Sequence, residues 1–223
     1  MKIRSIFLSS ESGSSLPLVD FCAEQQIRLL RKSFISFGRM EFDDPGNWDV
    51  VFFSSPRAFD FFVSESFDLK AGRKIACIGL ETKKHIESAG FSVSFFGENA
   101  GRPEEIASEF KEWLGQRIAL FPQSTKSNKS IERALPVSQR IPLVIYQTIP
   151  NPVLLAEQFS IYLFTSPSNF TSFTTLNSIP EGAKVLAWGT STAQIILNQS
   201  VKVDFILETS TYSELLEILQ NLR

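Results

Sequence analysis

The chain repeats itself. Val51-Phe52-Phe53-Ser54-Ser55-Pro56 resembles Tyr162-Leu163-Phe164-Thr165-Ser166-Pro167 at an offset of 111 residues. Ile75-Ala76-Cys77-Ile78-Gly79-Leu80-Glu81-Thr82 resembles Val185-Leu186-Ala187-Trp188-Gly189-Thr190-Ser191-Thr192 at an offset of 110, and Glu104-Glu105-Ile106-Ala107 meets the helix start Glu214-Leu215-Leu216 at the same offset. Three matches in one order at offsets of 110 to 111 mean a duplicated unit. Around them, short β-rich runs alternate with amphipathic stretches, the pattern a parallel sheet covered by helices requires. The pattern predicts strands over 2–8, 49–54, 74–78, 92–95, 117–121, 160–165, 183–188 and 202–205, and helices over 16–30, 56–65, 80–89, 103–113, 128–135, 167–176, 190–198 and 211–221.

The second copy ends with its third helix, whereas the first continues through Arg117-Ile118-Ala119-Leu120-Phe121-Pro122. The missing strand and helix are expected from the N-terminus, which makes one domain discontinuous. The expected architecture is two similar α/β parallel-sheet, three-layer domains: 1–32 plus 151–223, and 43–138, with 33–42 and 139–150 as connecting strands. Within those connectors, 33–37 and 143–149 are β-branched or aromatic runs without helical period, suited to pair as a two-stranded hinge.

Composition narrows the function. A formal charge of −2 and a pI near 5.6 offer no dense basic face for a polyanion, so nucleic acid is not an expected partner. Cys22 and Cys77 have no zinc or disulfide spacing, which fits a reducing cytoplasm and predicts no metal. The apolar run Ile6-Phe7-Leu8 is too short for a secretory signal, and no stretch approaches the ~18 apolar residues of a membrane span. The frequent phenylalanines fall in strands and on helix faces and are expected in the core.

Each copy reads strand, Ser-Pro, helix, at Ser55-Pro56 and Ser166-Pro167. Serine is a favoured cap and proline suits the first helical position, so capping alone accounts for the pair. The functional reading is that both helix starts lie at carboxyl ends of strands, where open α/β sheets bind ligands and unpaired N–H groups attract anions. Gly79 with Thr82, and Gly189 with Thr190, Ser191 and Thr192, repeat the arrangement with hydroxyls that either cap a helix or meet a carboxylate. The only histidine, His85, lies on a polar helix stretch and is expected to be solvated, as are Lys126, Lys129 and Arg133. There is no GxSxG, GxxxxGK[ST] or GxGxxG motif.

These residues resemble the uroporphyrinogen-III synthase family. The resemblance rests on Ser55-Pro56-Arg57-Ala58, Ile78-Gly79 with Thr82, Tyr146-Gln147-Thr148-Ile149-Pro150, Ser166-Pro167-Ser168 and Gly189-Thr190-Ser191-Thr192-Ala193, in family order over most of the chain. It implies that the substrate is hydroxymethylbilane, a linear tetrapyrrole with eight carboxylates. The product is uroporphyrinogen III, formed with loss of water and inversion of the last ring through a spiro intermediate. No cofactor takes part, and the enzyme is implied to be a cytoplasmic monomer in transient contact with porphobilinogen deaminase. By similarity, Tyr146 and Thr192 are the catalytic candidates. Ser55, Arg57, Gly79, Thr82, Ser166, Ser168, Gly189, Thr190 and Ser191 are the candidates for substrate binding in a cleft between the domains.

The chain departs from the family pattern at three loops. Pro122-Gln123-Ser124 replaces Pro-Arg-Gly, Gly189-Thr190-Ser191-Thr192 replaces Gly-Pro-Thr-Thr, and Ser9-Ser10 replaces Arg-Pro. A non-catalytic hinged binding protein for an anionic small molecule is the alternative. A sugar- or nucleotide-binding transferase lacks its phosphate loop and its Asp-x-Asp.

Overall fold

The computed structural model describes residues 3–10, 16–43, 45–64, 69, 73–98, 103–127 and 129–222. The first residue of the strand expected at 2–8, the last of the helix at 56–65 and the first of the helix at 128–135 lie outside the described residues. The chain divides into two compact units, Phe37–Thr148 and Met1–Ser36 with Ile149–Arg223. Both are α/β.

In the unit Phe37–Thr148, β4 (Val50–Phe53), β5 (Lys74–Ile78), β6 (Phe95–Gly97) and β7 (Ala119–Ser124) pair in parallel. β8 (Arg140–Pro150) adds in parallel to β7, and β3 (Ile35–Arg39) closes that edge, so the order is β3-β8-β7-β4-β5-β6. The extended runs at 33–37 and 143–149 therefore fall largely in β3 and β8, which lie side by side in this sheet with β3 at its edge. Successive strand residues point to opposite faces, and both faces are buried. Val51, Phe53, Ile75 and Cys77 pack with Phe59 and Phe62 of α2 (Pro56–Val63) and Ile86 of α3 (Leu80–Ser88). Val50, Phe52, Ala76 and Ile78 pack with Ile106 and Phe110 of α4 (Pro103–Leu114) and Ile131 of α5 (Ser130–Arg133).

The second unit is built the same way. β9 (Ile161–Phe164), β10 (Lys184–Ala187) and β11 (Phe205–Ile206) follow one another, and β1 (Ser5–Leu8) and β2 (Arg28–Arg31) extend the sheet in the order β11-β10-β9-β1-β2. All its pairs are parallel. Phe7, Tyr162, Phe164 and Val185 meet Phe170 and Phe173 of α6 (Pro167–Phe173) and Ile196 of α7 (Thr190–Asn198). On the other face Ile6, Leu8, Leu163 and Leu186 meet Phe21 of α1 (Leu16–Glu24) and Leu215 and Leu219 of α8 (Tyr212–Asn221). Phe59 and Phe62 recur as Phe170 and Phe173, so the duplication read from the sequence recurs in the packing. The phenylalanines expected in the core are there: many are fully buried.

Three expectations need correction. The helix expected over 16–30 stops at Glu24, and Arg28–Arg31 is a strand. Gln26 sits in the left-handed region at φ 55, with Gln26 N–H donating to Ala23 O and Ile27 N–H to Cys22 O. That hydrogen-bond pair is a Schellman stop, usually marked by glycine and disguised here by glutamine. α7 ends the same way at Ser200, with φ 59. The strands expected at 92–95 and 202–205 begin later, at Phe95 and Phe205, because Val93, Val201 and Val203 pack against the cores outside the ladders. The helix expected at 128–135 is a short turn, α5.

At the amino edge of the second unit, Asp204 fixes β10. Its carboxylate accepts from Val185 N–H at 3.0 Å and pairs with Lys184 at 2.9 Å and Lys202 at 3.0 Å. Burial alone would raise the Asp204 pKa, but these three partners together hold it below the ordinary carboxylate value. A carboxylate depressed in the folded state adds stability that is fully present above its unfolded pKa and is lost as pH falls through its folded one. Asp204→Asn should therefore cost about 1–3 kcal/mol near neutral pH. In urea unfolding followed by circular dichroism, that gap should close towards acid pH.

Burial pushes the Cys22 thiol up to about 11 and the Cys77 thiol up to about 12. The nucleophile is the thiolate, so neither cysteine should react in the folded protein. Native protein is expected to resist a thiol reagent at pH 8, with both residues modified once denaturant is added.

Candidate functional site

In each unit the register brings two helix starts to the carboxyl edge of the sheet. Phe53 lies beside Cys77, which sets Ser55 next to Gly79. Phe164 lies beside Ala187, which sets Ser166 next to Gly189. Ser55, Arg57, Gly79, Thr82 and Tyr146 thus belong to one unit, and Ser166, Ser168, Gly189, Thr190, Ser191 and Thr192 to the other. Among the described residues no side chain caps α3 or α7, whose N-cap residues are both glycines, so the first N–H groups of these helices remain unsatisfied donors at the positive end of the dipole. Gly79 has φ 83, a conformation that requires glycine, whereas Gly189 is extended at φ −178.

The hydroxyls sort into two kinds. Ser55 Oγ accepts from Ala58 N–H at 3.2 Å, and Ser166 Oγ accepts from Asn169 N–H at 3.3 Å and from Asn169 Nδ2 at 3.1 Å. Asn169, buried itself, also accepts from Phe34 N–H at 2.7 Å, so Ser166 is held in a structural network. Thr82 and Thr192 differ from them. Both are buried at the third position of their helices, yet neither hydroxyl has a partner among the described residues and both oxygens stay open to solvent. Thr190 and Ser191 are exposed, and Ser168 is half-buried.

Tyr146 lies in β8, with Ser124 as its register partner at the carboxyl end of β7. Its ring is stacked on Phe61 at 4.9 Å and 9° and meets the edge of Phe37 at 6.2 Å. The residue is 7% exposed, and its hydroxyl, without a partner among the described residues, reaches solvent. The Arg57 guanidinium lies 3.4 Å over the Phe37 ring. Burial lowers its pKa, while Tyr146 and Asp60 oppose that shift, and it remains a cation. A buried ring with an open hydroxyl beside a cation can donate a hydrogen bond to a leaving oxygen next to an anionic group.

Two of the departing loops have internal roles. Ser9 is fully buried: its Oγ accepts from Thr165 N–H at 2.8 Å and its carbonyl from Thr165 Oγ1 at 3.1 Å, tying β1 to β9 just before the Ser166 cap. Gln123, also buried, donates to Glu132 at 2.8 Å and joins β7 to α5. His85, expected to be solvated, is half-buried: its ring meets the edge of Phe59 at 5.8 Å and its Nε2 lies 2.6 Å from Asp60, which links α3 to α2. The sequence reading missed Phe37, Phe61 and Asn169. The available signal was Phe61 standing off the α2 core stripe of Ala58, Phe59 and Phe62.

Among the described residues no group of three His, Cys, Asp or Glu is placed to hold a metal ion, and no helix is long and apolar enough to cross a membrane. The concavity of about 670 Å³ lined by Arg4, Ser5, Arg28 and Ser160 lies at the amino edge of its sheet, away from these residues, and Arg28 there is paired with Glu157.

The fold and the strand-edge residues define a class: duplicated α/β proteins with paired helix N-termini at the carboxyl edge of each parallel sheet. A family model described as uroporphyrinogen-III synthase HemD matches residues 33–217. The chain belongs to the uroporphyrinogen-III synthase family, an enzyme family of haem biosynthesis. Its fold is similar to that of the uroporphyrinogen-III synthetase of Helicobacter pylori 26695, at a TM-score of 0.73 and 17% identity over 99% of this chain and 100% of that one. It is also similar to a mutant uroporphyrinogen III synthase of the extremely thermophilic bacterium Thermus thermophilus, at a TM-score of 0.60 and 15% identity over 98% of each chain. No curated protein sequence matches the chain.

The division of hydroxyls can be measured. Removing a hydroxyl that bonds no protein group leaves no orphaned partner, so Thr82→Val and Thr192→Val should leave stability within about 0.5 kcal/mol or raise it. Ser166→Ala, which removes a cap, should cost about 1–2 kcal/mol. Thermal unfolding of the three variants separates the two kinds.

Proposed function

We propose that the protein cyclises hydroxymethylbilane to uroporphyrinogen III as a hydro-lyase, with Tyr146 and Thr192 as its catalytic residues. Family membership supports the reaction. The observation that carries the site reading is the Tyr146 side chain, an immobilised ring whose hydroxyl is open and internally unpartnered.

The chemistry asks for little beyond that. The lone pair of the hydroxymethyl-bearing pyrrole expels the hydroxyl, which takes a proton from a hydrogen-bond donor and leaves as water; the proton lost from the terminal ring at the final reclosure restores the donor. Tyr146 supplies the donor. The electrophilic methylene left behind is attacked by a substituted carbon of the terminal ring. The spiro intermediate so formed fragments and recloses with that ring inverted. What the protein adds is control over which carbon attacks, so holding the eight carboxylates matters more than a strong acid or base. The helix starts after Ser55, Gly79, Ser166 and Gly189, together with the Thr82 hydroxyl, Arg57, Ser168, Thr190 and Ser191, are the proposed carboxylate contacts. Thr192 completes them with an unpaired hydroxyl. The residues need no cofactor in this reading. The enzyme is proposed as a cytoplasmic monomer in transient contact with porphobilinogen deaminase. Two free, buried cysteines are in keeping with a reducing compartment.

A coupled assay tests this. Porphobilinogen and porphobilinogen deaminase supply the bilane, and the oxidised uroporphyrins are separated by chromatography. Isomer III is expected in place of the spontaneous isomer I, and Tyr146→Phe should lower kcat by about 10- to 100-fold. Isomer I alone from folded protein would replace the enzyme reading with the non-catalytic binding protein.

A further inference from the structure

Tyr146 reaches its position through an irregularity in β8. Gln123 of β7 is partnered by Val144 but Ser124 by Tyr146, so Ile145 is an extra residue in the ladder. Leu143 and Ile145 face the core formed with α2 and α3, and strict alternation would turn Tyr146 to the opposite face. The bulge reverses that, and Tyr146 joins the same core. The backbone is pinned on both sides there, by Met40 N–H donating to Ile145 O at 2.9 Å and Thr125 N–H donating to Tyr146 O at 3.2 Å.

A bulge can aim a side chain but cannot stop its ring from turning. Two rings stand against it, and a cation backs one of them. Phe61 lies flat against it, Phe37 meets it edge-on, and Arg57 covers Phe37 from α2 one helical turn before Phe61. Phe61 is only half-buried and lies off the stripe by which α2 packs on the sheet. Its stacked contact with Tyr146 is what that aromatic does.

We propose that Phe61 is a positioning residue for the cyclisation: stacked on Tyr146, it fixes the ring plane and so the direction in which the hydroxyl points. The proposal rests on Tyr146 being the hydrogen-bond donor of the reaction. It acts on the chemical step and leaves substrate binding alone, because Phe61 touches the tyrosine ring and not the helix starts.

Steady-state kinetics of Phe61→Leu, Phe61→Tyr, Tyr146→Phe and Phe61→Leu/Tyr146→Phe test it, with thermal unfolding alongside. Phe61→Leu should lower kcat about tenfold at unchanged KM, as expected of misplacing a group whose removal costs more. Phe61→Tyr, which keeps the flat ring, should stay within about twofold of the parent, and Phe61→Leu should add less than about twofold in the Tyr146→Phe background. An unimpaired Phe61→Leu beside an impaired Tyr146→Phe would overturn the positioning role alone. So would equal losses in Phe61→Leu and Phe61→Tyr, or a full additive loss in the double variant, which mark a merely structural part. A fully active Tyr146→Phe would overturn both the donor reading and this one. Should Phe61→Leu not fold, ring-proton NMR of the parent decides: Tyr146 ring signals displaced upfield by the Phe61 ring are expected, and undisplaced signals overturn the proposal.

Discussion

The parallel pairing of β1 with β9 is the interaction on which the unit Met1–Ser36 with Ile149–Arg223 depends. A parallel sheet here has both faces covered, so each strand must be flanked by neighbours and by helices on two sides. The chain after Ile149 supplies β9, β10 and β11 with α6, α7 and α8, which leaves one flank of β9 open. β1 fills it, and α1 brings Phe21 and Cys22 to the face that α8 covers only in part. Ser9 extends that pairing past the end of the strand, its N–H donating to Leu163 O and its hydroxyl accepting from Thr165 N–H. The next residue, Ser166, caps α6, whose start is one of the proposed carboxylate contacts. A change at Ser9 is thus a change to the frame of the site and not to its surface.

How much of this was legible depended on whether a residue announced its backbone. The duplication, the two Ser-Pro helix starts and the tyrosine strand were readable because each rests on apolar spacing or on proline and serine at a helix start. The stop of α1 at Gln26 was hidden, since a left-handed residue is normally glycine and a glutamine gives no sign of it. The bulge at Ile145 was hidden for a related reason: Leu143, Ile145 and Tyr146 are all apolar enough for a core, and no sequence period says which of them is the extra residue. The stacking of Phe61 on Tyr146 depends on that bulge and could not be seen before it.

Glycine illustrates the same limit from the other side. Gly79 and Gly189 occupy equivalent places in the repeat and look alike in sequence, yet only Gly79 has a backbone that a side chain would strain. At Gly189 the conformation is open to any residue, and a methyl group there would meet Ser210 Oγ at an ordinary 3.4 Å. What the two share, among the described residues, is the absence of a capping side chain, which leaves the helix start uncapped in both units. The duplicated feature is therefore the exposed N–H end, and the glycine is only one way of keeping it clear.

This bears on how a chain with a formal charge of −2 can serve a substrate with eight carboxylates. Arginine-rich sites hold anions by full charges, but each such charge also attracts the wrong anion. Helix starts offer partial charge and directed N–H groups, so they reward a carboxylate placed at the right angle and distance. Each unit has two such ends, with the Thr82 hydroxyl unpaired beside one in the first and the Thr192 hydroxyl beside one in the other, and in the proposed reaction recognition would depend on the spacing of the acid groups more than on their total charge. Ring inversion requires that selectivity, because the outcome is decided by which carbon of a folded chain lies nearest the electrophile. A site that reads spacing controls it. Tyr146, the proposed donor that would have to point accurately, is accordingly held between the face of Phe61 and the edge of Phe37.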